Sequence, residues 1–170
     1  MENQSPSIKS IAYTYGLYLA LVSVAGLIIM YVLSLQKSWT ISIISFVLTV
    51  LILVYGIKAY KHANGGLLSV GKAVKVGLAI AVVGGLLSAI YAYVHYSFIY
   101  PEFIDLTKEA AYEQMMTQNP NLTDEQANQA MEMQGMFMNA GFFSLMSILG
   151  SLFFGLIISL IAGLIMRKDQ

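Results

Sequence analysis

Four stretches of the chain are apolar on every helical face and carry no Asp, Glu, Lys or Arg. They cover residues 11–35, 40–57, 76–94 and 139–166. A helix needs about 20 residues to cross a hydrocarbon core of roughly 30 Å, and each stretch comes close to or exceeds that length. Strands of a membrane barrel would instead alternate apolar and polar positions over segments of roughly ten residues. The pattern therefore predicts four membrane-spanning helices, which satisfy their own backbone hydrogen bonds in lipid.

The segment at about 95–138 is the one sizeable polar part of the chain. Pro101 suits the first turn of a helix that runs to about residue 116. The Asn-Pro-Asn sequence at 119–121 is typical of a turn. Thr123 and Gln126 have the spacing of a capping box that begins a second helix. We expect this second helix to continue into the fourth span, so that the segment is short and helical.

The basic residues predict the orientation of the spans. The loop at 58–75 and the two chain ends carry seven of the nine basic residues: Lys9, Lys58, Lys61, Lys72, Lys75, Arg167 and Lys168. Short cytoplasmic loops are enriched in Lys and Arg, so this side is predicted to be cytoplasmic, with both chain ends inside. Seven of the nine acidic residues lie between the third and fourth spans, on the predicted outer side.

Composition agrees with a membrane protein and excludes several other classes. Apolar residues make up 58% of the 170-residue chain and charged residues only 11%, less than half of the roughly 25% that soluble domains carry. Disordered chains have low hydrophobicity and high charge, so disorder is excluded. The chain has no Cys, which rules out disulfides and thiolate chemistry. The fold class expected is an all-α integral membrane four-helix bundle in a single domain.

Small residues recur at four-residue steps in three spans. The strips are Ala12, Gly16 and Ala20; Gly77, Ala81, Gly85 and Ala89; and Ser147, Ser151, Gly155, Ser159 and Gly163. Helices in a bilayer associate through close packing of such residues. We expect the strips to pack against one another within one chain, and the alternative is that they pair two copies of the chain.

No motif predicts a catalytic, cofactor-binding or metal-binding residue with any specificity. Residues 66–72 resemble a phosphate-binding loop, but Ala73 stands where Ser or Thr should bind magnesium, and a helix precedes the motif in place of a strand. Asn64, Gly65 and Gly66 more simply end the second helix, and Ser69 caps the third. No cofactor is expected.

Two weaker candidates lie near the predicted outer side. Methionine is dense in the polar segment, and thioethers suit Cu(I). However, methionines two positions apart point to different faces of a helix. Tyrosines near the span ends fit interfacial belts, and an aromatic ligand site near Tyr93, Tyr96 and Tyr100 is the alternative. His95 is expected to form interfacial hydrogen bonds, and His62 to be solvated.

Several local sequences resemble those of domain-of-unknown-function family 4199, a family of small bacterial four-helix inner-membrane proteins. The resemblance rests on residues 60–61 (Tyr-Lys), 64–77 (Asn-Gly-Gly-Leu-Leu-Ser-Val-Gly-Lys-Ala-Val-Lys-Val-Gly), 90–93 (Ile-Tyr-Ala-Tyr), 98–103 (Phe-Ile-Tyr-Pro-Glu-Phe) and the later outer helix ending at 137–138 (Phe-Met). It implies the same topology in the bacterial inner membrane, and it carries over no functional residues.

The sequence thus predicts a non-enzymatic membrane protein that is structural or accessory to a membrane assembly. A small transport or channel component is the alternative, and Met-rich copper binding or sensing outside the membrane is a weaker one. The expected partners are the lipid bilayer and either a second copy of the chain or another membrane protein, but no nucleic acid.

Overall fold

The computed structural model describes residues 7–35 and 37–168, and these residues form six α-helices and no β-strand. The helices are α1 (Ile8–Val32), α2 (Trp39–Ala63), α3 (Val70–Val94), α4 (Glu102–Gln118), α5 (Asp124–Gly135) and α6 (Ala140–Met166). A single turn of π-helix, His95–Ile99, extends α3. Four helices are long and apolar enough to cross a membrane: α1, α2, α6, and α3 together with the π turn. The prediction of four apolar spans is confirmed.

Local sequence explains most helix boundaries. Ser38, Ser69 and Asn139 each accept a hydrogen bond from a backbone N–H in the first turn of the helix that follows. Gly65 and Gly66 adopt φ angles of 66° and 82°, a left-handed conformation that glycine tolerates best. They end α2, as predicted. Since Ser69 caps α3, that helix begins six residues before the predicted span at 76–94.

The polar segment forms a helical hairpin, α4 and α5, that joins the π turn to α6. Thr123 and Gln126 form the predicted capping box, with both of its hydrogen bonds present. The prediction that the second helix continues into the fourth span is wrong. The α5 helix ends at Gly135, and Asn139 begins α6 by accepting a hydrogen bond from the Phe142 N–H at 2.9 Å. A short turn, residues 136–139, therefore separates α5 from α6.

Helix α3 lies between α1 and α6 and has the most extensive contacts with both. A Cβ added at Gly155 would stand 2.5 Å from the Cβ of Ala81, and one at Gly163 would stand 2.8 Å from the Cβ of Ala73. A Cβ added at Gly16 of α1 would come similarly close to the side chain of Val83. The strips of α3 and α6 thus pack against each other within the chain, as expected, and the α1 strip packs beside Val83 and Gly84 of α3.

Two ends of this helix packing differ in charge, and we name them accordingly. The basic end contains the α2–α3 connection and the end of α6, where the Lys61 Nζ donates to the Met166 carbonyl at 2.7 Å. Leu68 and Lys168 form an antiparallel bridge there. The acidic end contains the π turn and the α4–α5 hairpin. The most buried large side chains, including Tyr60, Leu53, Ile57 and Ile80, lie in the basic-end half.

Candidate functional site

The phosphate-loop resemblance has no counterpart in the structure. Gly71 and Lys72 lie in the first turn of α3, and the Lys72 N–H is directed to the Ser69 hydroxyl at 3.4 Å. The residues before them connect α3 to α2, so the element that precedes the motif is a helix. A phosphate-binding loop follows a strand. The structure therefore supports the interpretation of these residues as the end of one helix and the start of the next.

The methionines of the hairpin do not share one surface. Met133 and Met136 are 70% and 72% exposed, whereas Met131 and Met138 are half-buried. Met131 and Met133 of α5 differ in exposure, as the helical spacing predicts, and Met136 and Met138 lie in the turn after that helix. Within the described residues, no three His, Asp or Glu side chains come close enough together to hold a metal ion.

His95 lies in an aromatic cluster at the acidic end. Its side chain is only 2% exposed, and four tyrosine rings have their centroids 5.2–6.3 Å from its own: Tyr31, Tyr91, Tyr96 and Tyr100. Its Nδ1 atom has no hydrogen-bond partner among the described residues. The sequence predicted an interfacial hydrogen-bonding histidine, and the structure instead buries the ring. Tyr93, one of the three predicted cluster residues, is exposed and has no ring contact with His95 among the described residues.

The π turn explains how His95 reaches this position. The Tyr100 N–H donates to the His95 carbonyl at 2.7 Å, the five-residue hydrogen bond that defines a π-helix. Such turns are rare, and they are frequent at functional sites. Here His95 and Tyr100, at the two ends of the wider turn, both lie against Tyr31 at the end of α1. Sequence reasoning missed this arrangement because the segment resembles an ordinary helix end.

A second feature adjoins this cluster on the side of the basic end. Two cavities of about 210 Å³ and about 270 Å³ lie between α1, α3 and α6, and Thr49 of α2 borders the first. They share three lining residues: Ser23, Ser88 and Ser147. Tyr96 lines the second cavity and also a small void of about 10 Å³ beside His95. We name the two cavities together the hydroxyl crevice.

Three crevice hydroxyls lack hydrogen bonds in the described part of the chain, whereas two other serines of α6 bond to α3. The hydroxyls of Ser144 and Ser151 donate to the α3 carbonyls of Ala89 and Ala81 at 2.7 and 2.8 Å. By contrast, the Thr49, Ser88 and Ser147 hydroxyls form no hydrogen bond within the described residues. Ser88 is also only 4% exposed. A hydroxyl that reaches the cavities from a buried residue and has no protein partner can bond to a ligand there, so Ser88 marks the crevice as a candidate binding site.

The crevice also could not be found from the sequence. Ser23, Ser88 and Ser147 lie on three helices, far apart along the chain. Serine inside a membrane helix commonly bonds to a carbonyl of its own helix, as Ser23 does to Leu19 at 3.2 Å. Nothing in the spacing of the serines distinguishes those that face a cavity from those in a helix seam.

An all-α chain with four apolar helices of this length belongs to the class of membrane proteins. Its residues 14–168 match the model of a family described as proteins of unknown function, DUF4199, and the chain belongs to this family. No curated protein and no solved structure matches the chain. The family named from the local sequences is thus confirmed.

Proposed function

We propose that this chain is a non-enzymatic, four-span protein of the bacterial cytoplasmic membrane that serves as an accessory subunit of a membrane assembly. In this proposal α1, α2, α3 and α6 form a four-helix bundle in the bilayer. The basic end faces the cytoplasm, with both chain ends inside, because seven of the nine basic residues belong to that side. The α4–α5 hairpin is then extracytoplasmic.

The surface of α5 and the turn after it carries the accessory role. Met133, Met136 and Phe137 are each more than half exposed, although they lie outside the four apolar helices. Neither α4 nor α5 has a large buried side chain, and Ala127 is the one buried residue of the two helices. Exposed large apolar side chains clustered on a polar segment mark interaction surfaces. A membrane-protein partner, or a second copy of the chain, would cover them.

Co-purification in mild detergent tests this role. We expect the parent chain to recover one defined membrane-protein partner, and a Met133→Gln/Met136→Gln variant to lose it. Glu132→Gln is the matched control, since Glu132 is an exposed residue of the same helix, and it should retain the partner. A strictly monomeric protein with turnover of its own would contradict the proposal.

Reporter fusions test the orientation. A cytoplasmic reporter fused after residue 170 should be active, and a reporter inserted at Asn119, in the turn between α4 and α5, should be active only outside the cytoplasm. The opposite result at both positions would refute the topology, but it would not test the accessory role.

A small transport or channel component is the second candidate, and the hydroxyl crevice favours it. Hydroxyl groups that line a cavity between membrane helices could form hydrogen bonds with an uncharged solute as it passes. Flux of small neutral solutes into proteoliposomes distinguishes this function, since an accessory subunit alone would give none. Copper binding by the hairpin methionines is a weaker alternative, and Cu(I) titration of the full chain tests it.

A further inference from the structure

The hydroxyl crevice has a lining that selects against charge. Its residues are Leu19, Ser23, Leu27, Thr49, Ser88, Ala92, Tyr96, Phe143, Met146, Ser147, Gly150, Ser151 and Phe154. None of them is ionisable at neutral pH, and a charged group inside a membrane span is costly unless it is paired. A ligand of this crevice therefore has an uncharged head.

The hydroxyls without a partner indicate that the head of the ligand carries a hydrogen-bond acceptor. Each hydroxyl has one proton to donate, and a carbonyl oxygen has two lone pairs that accept. Ser88 of α3 and Ser147 of α6 line both cavities, so both hydroxyls are available to a carbonyl-bearing head inside the crevice. The aromatic rings of Tyr96 and Phe143, with centroids 5.3 Å apart, border the same cavity and provide an apolar surface for the rest of the head.

An apolar groove continues from the crevice towards the basic end. It lies between α2 and α6, has a volume of about 510 Å³, and shares Phe154 with the crevice. Its other lining residues are apolar: Phe46, Val50, Val54, Ile157, Ile158, Ile161, Ala162, Ile165 and Met166. The volume falls within the roughly 300–1,000 Å³ typical of small-molecule sites. An apolar tail attached to the head could occupy this groove.

We propose that the hydroxyl crevice binds the carbonyl-bearing head of an uncharged lipid, whose apolar tail lies in the groove between α2 and α6. A prenyl quinone and a neutral glyceride share this chemistry, and both dissolve in the membrane. The Ser88 and Ser147 hydroxyls donate to the head. The proposal requires the four helices to lie in a bilayer, but it does not depend on the accessory role.

Binding is measured on the full chain in phosphatidylcholine nanodiscs by native mass spectrometry. The probes are decylubiquinone, dioleoylglycerol and hexadecane, which has a tail but no head. We expect one saturable molecule of decylubiquinone, of dioleoylglycerol or of both, and no saturable hexadecane. Saturation by only one of the two head-bearing probes shows whether the ligand is a quinone or a glyceride. Saturation by neither, or equal binding of hexadecane, would overturn the proposal.

Two variants connect binding to the crevice. Gly150 lines the first cavity, and a Cβ added there meets no atom within 4 Å. Gly150→Leu should therefore fill the crevice without disturbing the helices, and weaken binding at least tenfold. Gly71→Leu is its control, because a Cβ at Gly71 also meets nothing within 4 Å and Gly71 lies at the basic end.

Ser88→Ala and Ser147→Ala should each weaken binding roughly threefold to tenfold, the effect of one lost hydrogen bond. Ser159→Ala is the control, since the Ser159 hydroxyl is buried and directed to the Leu156 carbonyl at 3.1 Å. Parent-like binding by both serine variants would overturn the proposal even if Gly150→Leu failed to fold. Recovery of the membrane-protein partner by all these variants separates this site from the accessory role.

Discussion

The two halves of the helix packing are built differently, and α2 shows the difference within one helix. Its basic-end half buries Leu53, Gly56, Ile57 and Tyr60 against the other helices. Its acidic-end half has no buried residue, and it borders the crevice through Thr49. One half of α2 is therefore closely packed, and the other half is open towards the crevice between α1, α2 and α6.

Glycine and alanine account for this difference. Gly56 of α2 brings the helix so close to α3 that an added Cβ would stand 2.5 Å from the Ile80 Cδ1. Between residues 39 and 52, α2 has Ser and Thr but no Gly or Ala. Lipid is as apolar as a protein core, so large apolar side chains alone do not draw helices together in a membrane. Close packing of α2 thus coincides with its Gly and Ala residues, and its Ser and Thr residues do not produce it.

The largest expected effect comes from Gly155→Leu in the seam between α3 and α6. A Cβ there would meet the Ala81 Cβ at 2.5 Å, so the added side chain forces the helices apart. Overpacking of this kind costs about 1–3 kcal/mol of the free energy of unfolding, and occasionally more. Steric trapping or thermal loss of the monodisperse peak measures it.

Two controls belong to the same helix. Gly150→Leu adds the same side chain where nothing lies within 4 Å, and Leu156→Ala truncates a residue that is 44% exposed. Both should remain close to the parent in stability. A stable Gly155→Leu variant together with a collapsed Leu156→Ala variant would show that the seam lies elsewhere.

A pair of identical substitutions in α2 tests the two halves directly. Leu53 is completely buried, whereas Leu48 is 40% exposed. Leu53→Ala leaves a cavity in the packed half, and we expect a loss of about 2 kcal/mol in the free energy of unfolding, the low end for such truncations. Leu48→Ala should lower the free energy of unfolding by only a small fraction of that amount, because the side chain is already partly exposed. Equal losses would mean that both halves of α2 are packed alike.

At the basic end, Lys61→Met removes the hydrogen bond from the Lys61 Nζ to the Met166 carbonyl. Since the side chain is only partly buried, we expect a loss of about 1 kcal/mol in the free energy of unfolding, below the roughly 1.5–3 kcal/mol of hydrogen bonds that involve a charged group. Lys58→Met, at an exposed position of the same helix, is the control. Thermal unfolding in detergent compares the two, and indistinguishable midpoints would show that the bond contributes nothing.

The smallest effect is expected in the hairpin. Thr123→Ala breaks the capping box at the start of α5, which should lower the local stability of that helix by about 1 kcal/mol and leave the apolar helices unchanged. Hydrogen exchange of the α5 amides measures the local change. Faster exchange in α3 or α6 would mean that the hairpin is coupled to the packed half.

The features that follow from local sequence were predicted well. The four apolar helices follow from the length of the runs, and the capping box at Thr123 follows from four consecutive residues. The junction between α5 and α6 was predicted wrongly because the apolar run at 139–166 hides the cap at Asn139. A cap is decided by one side-chain hydrogen bond, which hydrophobicity does not report.

The candidate site could not be predicted, since it depends on how helices are placed relative to one another. Ser88 and Ser144 are both serines of apolar helices, yet the Ser144 hydroxyl donates to the Ala89 carbonyl at 2.7 Å and Ser88 faces a cavity. Only the separation between neighbouring helices distinguishes them. The same holds for His95, which is buried by rings that lie on α1 and in the π turn.

The π turn also lets the chain accommodate one more residue than an α-helix would over the same rotation. The hydrogen bond from the Tyr100 N–H to the His95 carbonyl spans five residues, and the wider winding absorbs the roughly 100° that one additional α-helical residue would otherwise contribute. Deletion of a single residue within His95–Ile99 would therefore restore regular winding while leaving the direction of the α4–α5 hairpin nearly unchanged. The wider turn thus adds a residue to the surroundings of His95 at little cost to the placement of the hairpin and its exposed methionines.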